Sequence, residues 1–368
     1  MLTGGDLLGS GVYGCVYMPP LECKKGTAVE IPSNSEESEG KTPKQVDKLL
    51  STKDASTEFK IAQRIHKIPD WENHFVVADT LCVPKPKAEQ KDKEMDSCDV
   101  ITSDSLANLR ILRMNFAGDA LDTYEINVHR FNFRNFATSA LEGIALLMMH
   151  SIAHMDLHSG NALLDKKQQA RFIDWNLAID VLNEKDLEGR LYHSYTLKLT
   201  QESPDYLLVN VRFKKVIGQD SGIPAEHKLV EDMLEQKPIL KKHRAVLGMT
   251  VAEQRDGINR FIRTSKAYRD GDSAAWFRSH WRMNDTWAIA SMIVGVIAKL
   301  SLWPSYEFPV EFKGPKSLGY KVLRKMCHTN PFERIDAVQG LAELYPDNPV
   351  IKTYAASWLA AASKIHLA

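Results

Sequence analysis

The sequence predicts an α+β protein with a strand-rich front, residues 1–115, and a mainly helical back, residues 116–368. In the front, LLGSGVYGCVYM (Leu7–Met18) sets two short apolar runs around glycines, the pattern of a hairpin. Helical periodicity there is confined to Asp54–Ile68. From residue 130 onward it recurs, in Phe136–Met149 and again in Asp285–Leu302. Strands followed by helices suit an α+β chain in two lobes, and 368 residues suffice for about two domains with real cores.

Taken in order, the hairpin leads into a polar loop at 20–45, followed by the strand-like QVDKLL (Gln45–Leu50). In the helix Asp54–Ile68, Asp54 stands near the start, where its carboxylate can cap free amides. Ile61, Ile65 and Ile68 form its apolar stripe. Another charged loop covers 86–104. In the back, Thr250-Val-Ala-Glu253 has the form of a capping box. HKLVEDMLEQKPILKK and TVAEQRDGINRFIRTSKAY add further helices within a region of about 207–284. Trp287–Trp303 is the longest apolar run. It is slightly short for a membrane span and contains Lys299, so a buried helix is expected.

Basic and acidic residues balance at 47 each, so charge gives no reason to expect nucleic acid or a membrane surface as partner. Lys241–Lys242–His243–Arg244 reads as a solvated face. The five cysteines, Cys15, Cys23, Cys82, Cys98 and Cys327, contain no CxxC pair, so neither zinc nor a disulfide framework is expected. MLTGGDLLGSG is not built like a secretory signal. A soluble, cytoplasmic protein is the expectation.

Four stretches carry chemistry. Gly9-Ser10-Gly11-Val12-Tyr13-Gly14-Cys15-Val16 fits GxGxxGxV, in which glycines let backbone amides approach a phosphate and Val16 can cover an adenine. No helix start follows Gly14, which excludes a dinucleotide-binding turn. Glu58 falls on the apolar face of its helix, where a carboxylate is costly unless paired. Lys48, in the strand just before, is the candidate partner and would leave an ammonium aimed at phosphates. HMDLHSGN (His154–Asn161) places Asp156 five residues before Asn161, and FIDWN places Asp174 after an apolar run. One acid to orient a hydroxyl, with Asn161 and Asp174 as oxygen ligands for magnesium, suits phosphoryl transfer. A metal trio of His154, Asp156 and His158 is the competing pattern, but no further cluster completes it.

In this order the motifs resemble those of the eukaryotic-type protein kinases: the glycine loop Gly9–Val16, strand Lys48, helix Glu58, HRDLxxxxN as His154–Asn161 and DFG as Asp174–Asn176. Ser203-Pro-Asp205 is similar to the APE motif, Asp285-Thr-Trp287-Ala-Ile-Ala to the start of the family's buried central helix, and Asn330-Pro331-Phe-Glu-Arg334 to its late DPxxR motif. The resemblance covers roughly residues 7–345. It implies a bilobal kinase-like fold with a small β-rich N-lobe, a larger helical C-lobe and an ATP site between them. It further implies ATP and Mg2+ as cofactors, a protein substrate, an Asp205–Arg334 ion pair, and catalytic roles for Asp156, Lys48, Glu58 and His154. The insertion at about 207–284, the absence of an N-terminal extension and the VDKLL form of the lysine strand look like serine/threonine kinases of large DNA viruses such as iridoviruses, which would place the protein in host cytoplasm or virion.

The chain departs from that pattern at several positions. Met155 replaces the Arg of HRD, which puts phosphate-gated ordering in doubt. His158 stands where Ser/Thr kinases usually carry Lys. Trp175 and Asn176 replace Phe and Gly of DFG, and Asn is expected to tolerate the positive φ of that turn. Two other functions compete with transfer to protein Ser/Thr: a pseudokinase scaffold, and a small-molecule phosphotransferase of the aminoglycoside or choline kinase type, whose HGDLHxGN and IDWE runs DLHSGN and IDW are similar to. Tyr192, Tyr195, Thr196 and Thr200 are candidate self-phosphorylation sites.

Overall fold

The computed structural model describes residues 6–11, 14–32, 44–90, 95–102, 105–183, 196–216, 218 and 224–365. It divides into two compact units, Met1–Gly118 with Arg171–Ala178, and Asp119–Ala170 with Ile179–Ala368. The fold is mixed α+β, with an antiparallel sheet in the N-terminal region and a helical C-terminal part.

The first unit is built on six strands: β1 (Asp6–Gly11), β2 (Gly14–Met18), β3 (Val29–Glu30), β4 (Gln45–Ser51), β5 (Thr80–Cys82) and β6 (Leu109–Asn115). Their spatial order is β1-β2-β4-β6-β5-β3, and every neighbouring pair is antiparallel. The glycine stretch makes the expected hairpin, with Gly11 opposite Gly14. Val12 and Tyr13 lie outside the described residues. Gly14 is required by close approach, since a β-carbon there would come 2.3 Å from the Leu49 carbonyl oxygen of β4.

β4 is central and buried on both faces, so its period of two sends adjacent charged residues to opposite sides. Asp47 points to the face that holds Cys15, Tyr17, Leu49 and Ile111. Arg113 satisfies it from Nε to Oδ1 and from Nη2 to Oδ2, each at 2.9 Å, and the Leu21 amide adds a bond of 2.8 Å. Lys48 points the other way, toward α1 (Thr52–Ile65), which lies against β4 and β6.

The cap of α1 differs from expectation. Ser51 is the N-cap: its hydroxyl accepts from the Asp54 amide and donates to the Asp54 carboxylate, which sits in the first turn. Serine wins because it stands one residue outside the first helical φ/ψ, where a short side chain reaches the free amides of the first turn. Ile61, Ile65 and Ile68 are all buried, although Ile68 lies beyond the helix.

Two disulfides, Cys15–Cys98 and Cys23–Cys82, tie strands of this sheet to its loops and overturn the expectation of no disulfide framework. The partners are 83 and 59 residues apart. Such pairs are set by where the sheet brings β-carbons together, which spacing along the chain does not reveal. Cys327 is free and buried.

The second unit carries β7 (Asp119–Ala120), β8 (Ile152–Ala153), β9 (Ala162–Leu164) and β11 (Ile179–Asp180), with β10 (Ala170–Phe172) spanning the boundary. β7 pairs antiparallel with β9, and β8 with β11. Its helices are α2 (Phe133–Met149), α3 (Pro204–Val216), α4 (Glu226–Gln236), α5 (Pro238–Leu247), α6 (Val251–Thr264), α7 (Lys266–Asp270), α8 (Ser273–Leu300), α9 (Leu318–Met326), α10 (Ala337–Leu344), α11 (Pro349–Tyr354) and α12 (Ala356–Ile365).

The long apolar run forms the second half of α8. This helix begins at Ser273, capped by Asp272, rather than at Asp285. From Met283 to Leu300 every residue is buried except the half-buried Gly295 and Ala298 and the exposed Lys299, as suits a helix that is apolar nearly all round. Leu302 and Trp303 follow it into solvent. Among the described residues no helix is long and apolar enough to cross a membrane. The Thr250 capping box is present on α6, with the Thr250 hydroxyl and Glu253 carboxylate each taking the other's backbone amide. His243 and Arg244 correct the expectation of a solvated basic face: His243 is fully buried against Ser291, and Arg244 bonds Gln254 and the Leu234 carbonyl. They lie on the inward side of α5, which leaves only Lys241 and Lys242 exposed.

Candidate functional site

In the first unit Lys48 Nζ lies 2.8 Å from Glu58 Oε2 and 3.0 Å from Asp174 Oδ1. The helix brings Glu58 in because it shares the buried face with Ile61 and Ile65. The segment Arg171–Ala178 brings Asp174 in because Phe172 is stitched to the unit, taking the Val76 amide on its carbonyl and giving its own to the His74 carbonyl. Trp175 is buried, and its indole donates to the Val76 carbonyl.

Desolvation pulls the Lys48 ammonium down, but the Glu58 and Asp174 carboxylates outweigh it and hold its pKa above the ordinary value. Burial pushes Glu58 up, opposed by Lys48. The result is a charged lysine fixed by one deeply buried carboxylate and one that is about a third exposed.

Asp174 sits at φ 66°, in the left-handed region. The strained position of this turn is therefore Asp174 and not Asn176, which instead donates its amide to Asp174 Oδ1 at 3.1 Å. Aspartate tolerates that conformation better than most residues. On the neighbouring hairpin, Val16 stands opposite Lys48. A β-carbon on Gly9 would meet nothing within 4 Å, and one on Gly11 only the Gly14 carbonyl oxygen at 3.9 Å. Among the described residues, neither glycine is demanded by packing. Both leave bare backbone that a ligand can approach, with Ser10 exposed between them.

In the second unit His154–Asn161 folds into a closed polar loop. Asn161 Nδ2 donates to the Asp156 carbonyl at 2.9 Å and to its Oδ2 at 3.3 Å, while Gln201 Nε2 donates to Asp156 Oδ1 at 2.9 Å. His158 Nδ1 takes the Gly160 amide at 3.0 Å, and its Nε2 lies 3.8 Å from Asp156 Oδ2. His154 is fully buried, with Nδ1 3.4 Å from the Asp156 amide. The competing trio is not formed: among the described residues no group of three or more His, Cys, Asp or Glu could hold a metal ion.

One turn of α8 holds this loop. Asp285 takes the His154 amide on Oδ2 at 2.6 Å and the Met155 amide on Oδ1 at 2.9 Å. Those bonds keep Met155 at φ 66°, a conformation a methionine does not choose unaided. From the same turn Asn284 takes the Ser203 amide, and Trp287 donates to the Thr200 carbonyl. The segment bearing Gln201 is thus pinned beside Asp156. Burial pushes the Asp285 carboxyl up to about 7, the two amides opposing it.

The Asp205–Arg334 pair is formed at 2.7 Å with both side chains fully buried. Arg334 also donates to the His328 and Met283 carbonyls and lies over the Trp287 ring.

Two contributors were not singled out from the sequence, Gln201 and the carboxylate function of Asp285, and neither carries a local sequence signal. Tyr192 and Tyr195 lie outside the described residues, whereas Thr196 and Thr200 are half-buried. Neither the protein-family models nor the curated proteins compared with the chain match it.

Proposed function

We propose that the protein is an ATP-dependent phosphotransferase of the protein-kinase kind, acting on protein Ser/Thr hydroxyls. The observation that carries this is the Lys48–Glu58–Asp174 cluster on the strand beside an open glycine hairpin. A lysine held charged by a buried glutamate is suited to the α- and β-phosphates, and bare glycine backbone is suited to cover them. Asp156, its two oxygens steered by Gln201 and Asn161, is suited to orient an attacking hydroxyl and take its proton.

Each unit carries one oxygen donor fit for magnesium, the Asp174 carboxylate in the first and the Asn161 amide in the second, and magnesium accepts few protein oxygens beside phosphate. When bound, the ion would neutralise charge on the transferred group. The chain's own contribution is positioning and electrostatics, which dominate phosphoryl transfer.

The test is incubation with γ-labelled Mg-ATP and a generic basic protein, then acid hydrolysis to identify the labelled amino acid. Label on serine or threonine is the expected result. Nucleotide binding without transfer would point to a scaffold. Label confined to a small hydroxyl compound such as an aminoglycoside would replace the protein acceptor.

A further inference from the structure

The second unit contains a cavity of about 210 Å3 whose lining includes Leu157, His158 and Ser159 of the polar loop, Thr200, Lys242 of α5 and Lys299 of α8. We propose that it receives an anionic side chain of the acceptor protein, so that hydroxyls flanked by acidic or already phosphorylated residues are preferred. The inference rests on the phosphotransfer reading of the same loop.

Its position comes first. His158, in the cavity wall, has its Nε2 3.8 Å from the Asp156 carboxylate. Thr200, also in the wall, precedes Gln201, whose amide bonds Asp156 Oδ1. The cavity therefore opens within one side chain of the acid on both sides. An acceptor residue a few positions from the reacting hydroxyl can reach it.

Charge gives the ligand class. A β-carbon built on Gly295 would lie 3.8 Å from Lys242 Nζ, so that ammonium lies over Gly295. Lys299 projects from the same face of α8 one turn on. Among the described residues neither ammonium makes a hydrogen bond or ion pair with the protein. Lys242 from α5 and Lys299 from α8 thus put two positive charges in the wall of one cavity, and an anion lodged there is attracted by both. Among the described residues the one carboxylate in the wall is Asp122, which lies over Gly160 next to the His158 ring and pairs with neither lysine. Ile239, Met292 and Val296 supply apolar wall for the stem of an acidic side chain. Since Lys242 belongs to the region of about 207–284, this gives part of that region a task.

Matched serine peptides with alanine, glutamate or phosphoserine at the flanking positions test this, in the wild type and in Lys242→Glu/Lys299→Glu. Both lysines are exposed, so the double variant is expected to fold. The readout is the ratio of kcat/KM, anionic peptide over alanine peptide. A wild-type ratio of about tenfold, shrinking with salt and abolished in the double variant, is the expected result. Greater preference for the phosphoserine peptide would identify a previously phosphorylated acceptor, and greater preference for glutamate an acidic one. A wild-type ratio near unity, or one unchanged in the double variant, would overturn the proposal while leaving phosphotransfer intact. Transfer by the wild type to none of the peptides, nor to the basic protein, would instead remove the phosphotransfer reading and the inference with it.

Discussion

Asp285 shows how a single buried carboxylate shapes the loop that bears Asp156. It takes two consecutive amides, and Met155 adopts positive φ as the consequence. Its titration makes a signed prediction. The folded protein holds this proton up to about pH 7, whereas an unfolded aspartate releases it near its ordinary value of 3.8. The folded state thus binds the proton more tightly, and the Asp285 contribution to stability falls as pH rises between those values. Relative to Asp285→Asn, which does not titrate, the wild type should lose about 3 kcal/mol between pH 5 and pH 7.5. Paired denaturant titrations measure this, and a difference independent of pH would refute it. At this scale the sequence revealed Glu58, because a carboxylate on an apolar stripe demands a partner. It did not reveal the left-handed Met155 and Asp174, because nothing in those residue types announces the hydrogen bonds that impose the conformation.

At the scale of elements, α6 presents a glycine where its partner leaves no room. Gly257 faces Thr329, whose hydroxyl donates to the Gln254 carbonyl, and a β-carbon on Gly257 would come 2.2 Å from that oxygen and 3.3 Å from the Asn330 amide nitrogen. In an exposed helix Gly→Ala stabilises by up to about 1 kcal/mol. Here Gly257→Ala should destabilise by roughly 1–3 kcal/mol, because Thr329 is fixed and the helix must retreat. Thermal unfolding measures the sign, and a raised midpoint would contradict the packing. The helices were legible because their apolar stripes run for several turns. Their ends were less so: Ser51 took the cap from Asp54, and α8 runs back to Asp272. Two-residue strands such as β8 and β11 carry no period at all, since they exist only by pairing with each other.

For the molecule as a whole, the division into a strand-rich and a helical part was legible, because helical apolar periodicity is confined to one stretch of the front and recurs through the back, and burial on α8 is written in a long apolar run. The disulfides were not, because they depend on which β-carbons the sheet brings together and not on spacing along the chain. The phosphotransfer proposal draws on both units, with Lys48, Glu58 and Asp174 from the first and Asp156 and Asn161 from the second. Its most direct test is γ-phosphate transfer from Mg-ATP by the wild type, Asp156→Asn and Asp174→Asn, with thermal unfolding of each protein alongside. The account predicts robust transfer by the wild type. It predicts a fall of at least about a hundredfold in each variant, a size typical of lost acid–base or charge-stabilising groups, with a cooperative unfolding transition retained. Near-normal turnover in either folded variant would contradict the assignment.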